Sequence, residues 1–128
     1  MLSESRSMTI DNFFSALDVI DNAKYNLDYT HAFKKSVKMC CNAGLDLNLL
    51  LVAITFLVQN GYLEDIYFPH PLKGFPHKNN IKVMECHVSP DWLFVWVQDN
   101  NNLTLILFDT GTHSHLFNSK RLRKGRLN

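Results

Sequence analysis

Three histidines and one aspartate, far apart along the chain, are the residues best suited to chemistry: His70, His87, Asp91 and His113. An imidazole has an unperturbed pKa of about 6.5, so a set of them can take a proton at one atom and deliver one at another near neutral pH. An aspartate beside such a ring orients it or acts as a base itself. Of the 6 histidines, all but His31 fall between His70 and Phe117. They come in three blocks: His-Pro-Leu-Lys-Gly at 70–74, Glu-Cys-His-Val-Ser-Pro-Asp-Trp at 85–92, and Asp-Thr-Gly-Thr-His-Ser-His-Leu-Phe at 109–117.

The elements around these blocks must bring them together. Two apolar runs, Trp92 to Val97 and Leu103 to Phe108, flank Asp99-Asn100-Asn101-Asn102, a composition that makes a hairpin turn. Two strands joined there carry His87, Asp91 and His113 toward one end of one sheet. Ile81 to Val88 alternates and reads as the preceding strand, with Ser89-Pro90-Asp91 as its turn. Trp92 to Val97 is apolar at every position, as in a strand covered on both faces, and Trp96 in its middle belongs to the core. Thr112 is placed to cap a short helical turn over His113 to Phe117.

Upstream, Phe13, Leu17 and Ile20 recur at helical spacing with Phe14 beside them, predicting a helix from Thr9 to Ala23, capped by Thr9 or Asp11. Its apolar stripe is expected to bury on its own domain. Tyr25 to Tyr29 suits a short edge strand. Thr30 caps a helix to Ala43, stopped by Gly44 and lined by Phe33, Val37, Cys40 and Cys41. His31 opens that helix and reads as structural. Asp46 caps a second helix to Gln59 with a wide apolar stripe, ended by Asn60-Gly61. The two form an antiparallel hairpin. Residues 60–80, broken by Pro69, Pro71, Pro76, Gly61 and Gly74, read as loop, where His70 and His77 are of interest. The order of elements gives an α+β domain.

At 128 residues and 46% apolar content the chain is the size of one domain and too apolar to be disordered. The net charge of +1 hides an asymmetry: Lys120, Arg121, Arg123, Lys124 and Arg126 form a basic tail over 118–128 with no acid, which attracts polyanions, nucleic acid first. Cys40, Cys41 and Cys86 have no framework spacing and no CxxC pair, which predicts reduced thiols, a cytoplasmic location and no structural zinc. Leu49 to Val58 is too short an apolar run to cross a bilayer, and the start lacks the order of a signal peptide. No membrane partner is expected.

Taken together, His-Pro-Leu-x-Gly, Glu-Cys-His-Val-x-Pro-Asp-Trp and Thr-Gly-Thr-His-x-x-Leu-Phe, in that order, resemble the YafQ branch of the RelE/ParE toxin superfamily over about residues 25–117. The resemblance implies a RelE-like fold, a helical hairpin on a small twisted antiparallel sheet. It leaves residues 1–24 as an N-terminal extension with its own helix and 118–128 as an added tail. It implies an mRNA interferase of a type II toxin–antitoxin pair, cutting mRNA on the ribosome without a metal or other cofactor. The implied partners are mRNA, a cognate antitoxin and, through the antitoxin, operator DNA. Carried over residue by residue, His70, His87, Asp91 and His113 are the catalytic set, and Trp92 and Phe117 line the RNA cleft.

RNA cleavage needs such groups in its own right. A base takes the proton of a 2′-hydroxyl, the oxygen attacks phosphorus, and an acid protonates the leaving 5′-oxygen. A cation stabilises the charged phosphorane, and aromatic faces such as Trp92 or Phe117 hold a splayed base. Here the sequence departs from the family. Arginines usually precede the Glu-Cys-His and Thr-Gly-Thr-His blocks; this chain has Met84 and Asp109. Lys73, Lys82, Lys78 and the basic tail are the cations at hand. Two function classes follow: an endoribonuclease toxin, or a binding module of the same fold with weakened chemistry that docks on a ribosome, an antitoxin or DNA. A gyrase-poisoning relative leaves the histidine blocks without a task. A metal held by His113-x-His115 with Cys86 or His87 matches no known ligand spacing.

Overall fold

The computed structural model describes residues 8–75 and 77–118; the basic-tail expectation lies outside them from residue 119 on. The chain runs as α1 (Ile10–Leu17), β1 (Asn26–Tyr29), α2 (His31–Asn42), α3 (Leu47–Asn60), β2 (His70–Pro71), β3 (Ile81–Ser89), β4 (Trp92–Asp99) and β5 (Thr104–Gly111). A 3-10 turn covers Asp65–Tyr67 and a π-turn closes the described chain over Ser114–Asn118. This is the expected α+β architecture, with the helices packed on a small sheet.

Capping chemistry sets the helix bounds. Thr9, Thr30 and Asp46 each accept a backbone N–H of the first turn. Gly61 ends α3 at φ +83°, and a Cβ there would meet the Tyr25 ring 2.8 Å away, so glycine is needed for both conformation and space. The first helix stops at Leu17, six residues short of the expected Ala23. Asp18, Asp21 and Asn22 are poor helix formers, and Asn22 turns left-handed at φ 57°.

The 5-stranded sheet has the order β1-β5-β4-β3-β2. The β2/β3, β3/β4 and β4/β5 pairs are antiparallel, and β1 adds a parallel edge on β5, Asn26 opposite Thr104. Side chains of β4 alternate between two cores. Trp92, Phe94 and Trp96 join Cys86, Leu105 and Leu107 against the helices, while Leu93 and Val95 join Val83, Leu72 and Leu116 on the other side. The continuous apolar run of β4 thus reflects a strand covered on both faces. Helix α1 is part of the first core: Phe13 is fully buried there with Phe33 and Leu57, as its stripe requires.

Candidate active site

The strand β3 sets the register of the site. Period-two alternation places Val83, Glu85 and His87 away from Cys86 and the helices. The two-residue β2 then lays His70 opposite Glu85. After β5 the chain turns at Gly111, where a Cβ would come within 2.6 Å of the His115 ring, so this glycine of the third block allows the π-turn to fold back. The turn delivers His113 beside Asp91, which the β3–β4 turn holds from the other side.

The three imidazoles form a row. The ring centroids of His70 and His87 are 6.5 Å apart, and those of His87 and His113 are 6.1 Å apart. Aromatic rings stand beside two of the three, Phe117 against His113 at 6.1 Å and Phe68 against the middle ring, His87, at 6.2 Å. Each imidazole is anchored through Nδ1: His70 on the Pro71 carbonyl at 3.1 Å, His87 on the Pro90 carbonyl at 3.4 Å, His113 on Asp91 Oδ1 at 3.2 Å. A carbonyl only accepts, so His70 and His87 carry a proton on Nδ1. Among the described residues Nε2 of His87 and of His113 meets no hydrogen-bond partner, which leaves both available for proton transfer.

His70 differs. Its Nε2 lies 3.1 Å from Glu85 Oε1, with the Glu85 side chain only 9% exposed. With Nδ1–H already donated to Pro71, the Nε2–Oε1 contact holds one proton between imidazole and carboxyl. Glu85 Oε2 is buried and has no hydrogen-bond partner. The hydrogen bond from the His113 ring, aided by that from its backbone N–H, holds the Asp91 carboxyl below the usual carboxylate range, so Asp91 is a carboxylate at neutral pH.

Two expected substrate contacts fall elsewhere. Trp92 is 1% exposed and its Nε1 donates to Thr110 Oγ1 at 2.9 Å, so it has no face to offer a base. Lys82 lies five residues from His87, roughly 17 Å along a strand, and the pleat turns it to the opposite face; it lines a separate groove with His77, Lys78 and Asn80. Phe117 is half-buried beside His113, and Lys73 is exposed in the turn after β2. Met84 packs against the helix-side core. Asp109 is 1% exposed and accepts from Ser36 Oγ of α2 at 2.5 Å. His115 Nε2 stands 2.9 Å from the same hydroxyl, so His113 and His115 turn to different partners and do not converge as a ligand pair. Burial, reinforced by Asp109, raises the Cys40 thiol to about 11, and burial pushes Cys86 up as well, so both are neutral thiols near pH 7.

Sequence reasoning does not single out Glu85 or Phe68. Glu85 was open to discovery, because two residues before His87 on a strand is the same face. No signal marked Phe68, an exposed ring in a loop.

A helical hairpin on this sheet, with imidazoles along the end opposite the helices, defines a RelE-like toxin. The chain matches the family described as bacterial toxin of type II toxin–antitoxin system, YafQ, over residues 25–118, and belongs to it. It is similar to the mRNA interferase toxin YafQ of Escherichia coli strain B / BL21-DE3, 32% identical over 98 residues, covering 72% of this chain and 95% of the relative. Among solved structures it resembles the E. coli DinJ–YafQ toxin–antitoxin complex, with TM-score 0.65, 30% identity and coverage of 73% and 98% of the two chains. A metal-bound toxin from Helicobacter pylori gives TM-score 0.65 at 33% identity, covering 73% and 99%. The archaeal RelE–RelB complex of Pyrococcus horikoshii shares the fold alone, with TM-score 0.58 at 9% identity and coverage of 81% and 99%. Helix α1 precedes the matched region. Among the described residues no helix is long and apolar enough to cross a membrane.

Proposed function

We propose that this toxin is a ribosome-dependent endoribonuclease that cuts mRNA by attack of a 2′-hydroxyl, without a metal. The observation that carries the reading is the row of three imidazoles, each tied through Nδ1, with Nε2 of His87 and His113 open. His87, tied through Nδ1 to a carbonyl with Nε2 open, is the general base for the 2′-hydroxyl. His113, held through Nδ1 by the Asp91 carboxylate with Nε2 open, is the general acid that protonates the leaving 5′-oxygen. His70, with both ring nitrogens engaged on Pro71 and Glu85, keeps no N–H for the phosphorane and acts by positioning the row, which leaves Lys73 as the cation for the developing charge. Lys73 and Phe117 contact the RNA strand beside the row.

The proposed partners follow from the same family: mRNA in the ribosome, a cognate antitoxin that silences the chain and, through that antitoxin, operator DNA. The setting is the cytoplasm. One observation favours a second reading, a binding module with weakened chemistry. Met84 is packed and Asp109 buried where the family carries arginines. Its mark is tight antitoxin or ribosome binding with no growth arrest on expression.

Purified protein, first dialysed against a chelator, is added to ribosomes translating a defined mRNA, alongside His87→Ala. The expected result is cleavage by the wild type alone, leaving a 2′,3′-cyclic phosphate or 3′-phosphate end. Intact mRNA with both proteins rejects the enzymatic reading in favour of the binding module.

A further inference from the structure

We propose that Phe68 is the platform on which a base of the RNA stacks while the neighbouring phosphate lies on the imidazole row; this rests on the endoribonuclease reading above. An aromatic ring that holds a base must present a face to solvent. Trp92 is buried and Phe117 is half-buried against His113. Phe68 is 69% exposed, and its ring meets the His87 ring edge-on at 6.2 Å with an interplanar angle of 85°. Beside it lies a groove of about 510 Å³ lined by Ile66, Phe68, His87, Val88, Ser89 and Pro90.

The backbone supports a functional reading of this ring. Phe68 has φ 49°, a left-handed conformation that is an outlier for a bulky residue. It also precedes Pro69, where the chain prefers to be extended. Its N–H is fixed on the Asp65 carbonyl at 2.9 Å, at the end of the 3-10 turn. A strained conformation that exposes an apolar ring gains no burial in return, and such strain collects at binding sites. Ile66, 77% exposed, extends the same apolar surface. Such a surface also suits an apolar side chain of a protein. The ring's contact with His87, the proposed base, favours a nucleobase, because base and reacting phosphate are joined through a single sugar.

The test uses the full chain with ribosomes translating a defined mRNA, comparing Phe68→Leu, Phe68→Gly and Phe68→Tyr with wild type. Leucine keeps the apolar bulk without the ring face. Glycine relieves the backbone, so its melting midpoint is at or above that of wild type, which separates lost activity from lost folding. The expected result is a fall of about tenfold or more in kcat/KM for leucine and glycine, carried by KM, with tyrosine near wild type. Full cleavage by Phe68→Leu while wild type also cuts overturns this proposal alone. So does a Phe68→Leu protein that cuts normally but no longer binds its antitoxin, which assigns the surface to protein docking. No cleavage by wild type overturns the endoribonuclease reading and this one with it.

Discussion

Asp91 Oδ1 accepts two hydrogen bonds from His113, one from the ring Nδ1 at 3.2 Å and one from the backbone N–H at 3.4 Å. One oxygen thus fixes both the position and the tautomer of the imidazole. The carboxyl is held below its usual range by these bonds. A lowered folded-state value means that the stabilising contribution of the hydrogen-bonded Asp91 carboxylate is present above the unfolded value of about 3.9 and is lost only as pH falls through the lower folded value. That contribution is therefore intact throughout the neutral range. A carboxyl-carbon NMR titration should place the Asp91 midpoint below about 3.9; a midpoint at or above it removes the anchoring role. Asp91→Asn should lower cleavage about 10²-fold or more, with pH dependence above pH 5 still set by the imidazoles.

His70 and Glu85 are coupled in stability as well as chemistry. Removing the ring leaves a buried carboxyl with neither oxygen partnered within the described structure. His70→Ala should cost about 1–3 kcal/mol in urea denaturation. Glu85→Leu in the same background should recover most of that loss, since an apolar side chain needs no partner. Additive effects of the two substitutions would refute the coupling.

Trp92 belongs to the core, so its substitutions should read in stability. Trp92→Phe removes the hydrogen bond to Thr110 and should cost about 1–3 kcal/mol; Trp92→Ala should cost about 3–5 kcal/mol. Cleavage by folded Trp92→Phe should match wild type. A stable Trp92→Phe protein with a large rise in KM would return this residue to the RNA surface.

Restoring the family's arginine at position 109 should fail. Asp109 is buried on Ser36, beside Thr110 and His115. A guanidinium there loses the Ser36 donor as a partner and must be desolvated. Asp109→Arg should cost about 3 kcal/mol or more and leave cleavage no higher. A stable Asp109→Arg protein with faster cleavage would mean that the site accepts an arginine after all.

What the sequence made legible was mostly local. Thr30, Asp46 and Gly61 mark helix ends by hydrogen bonding and left-handed geometry, and each acts where it was read. The three histidine blocks converge because hairpin turns fold strands back on themselves. The two displaced substrate contacts share one cause, the side of a strand. Trp92 opens a run that is apolar throughout, so no alternation in β4 says which face it takes. Lys82 was decidable, since it shares parity with Cys86 and opposes His87. The parallel pairing of β1 with β5 joins residues 26 and 104, a contact that no local pattern encodes. Phe68 violates the expectations for a ring before proline, and such violations mark places where function outweighs local preference.

The parallel edge has a consequence for synthesis. The strand made first can dock only on the strand made last, because β5 lies between β1 and β4. A nascent chain therefore cannot close its sheet until Gly111 has left the exit tunnel, and His113 emerges only then. The imidazole row is therefore among the last parts of this fold that a growing chain can assemble.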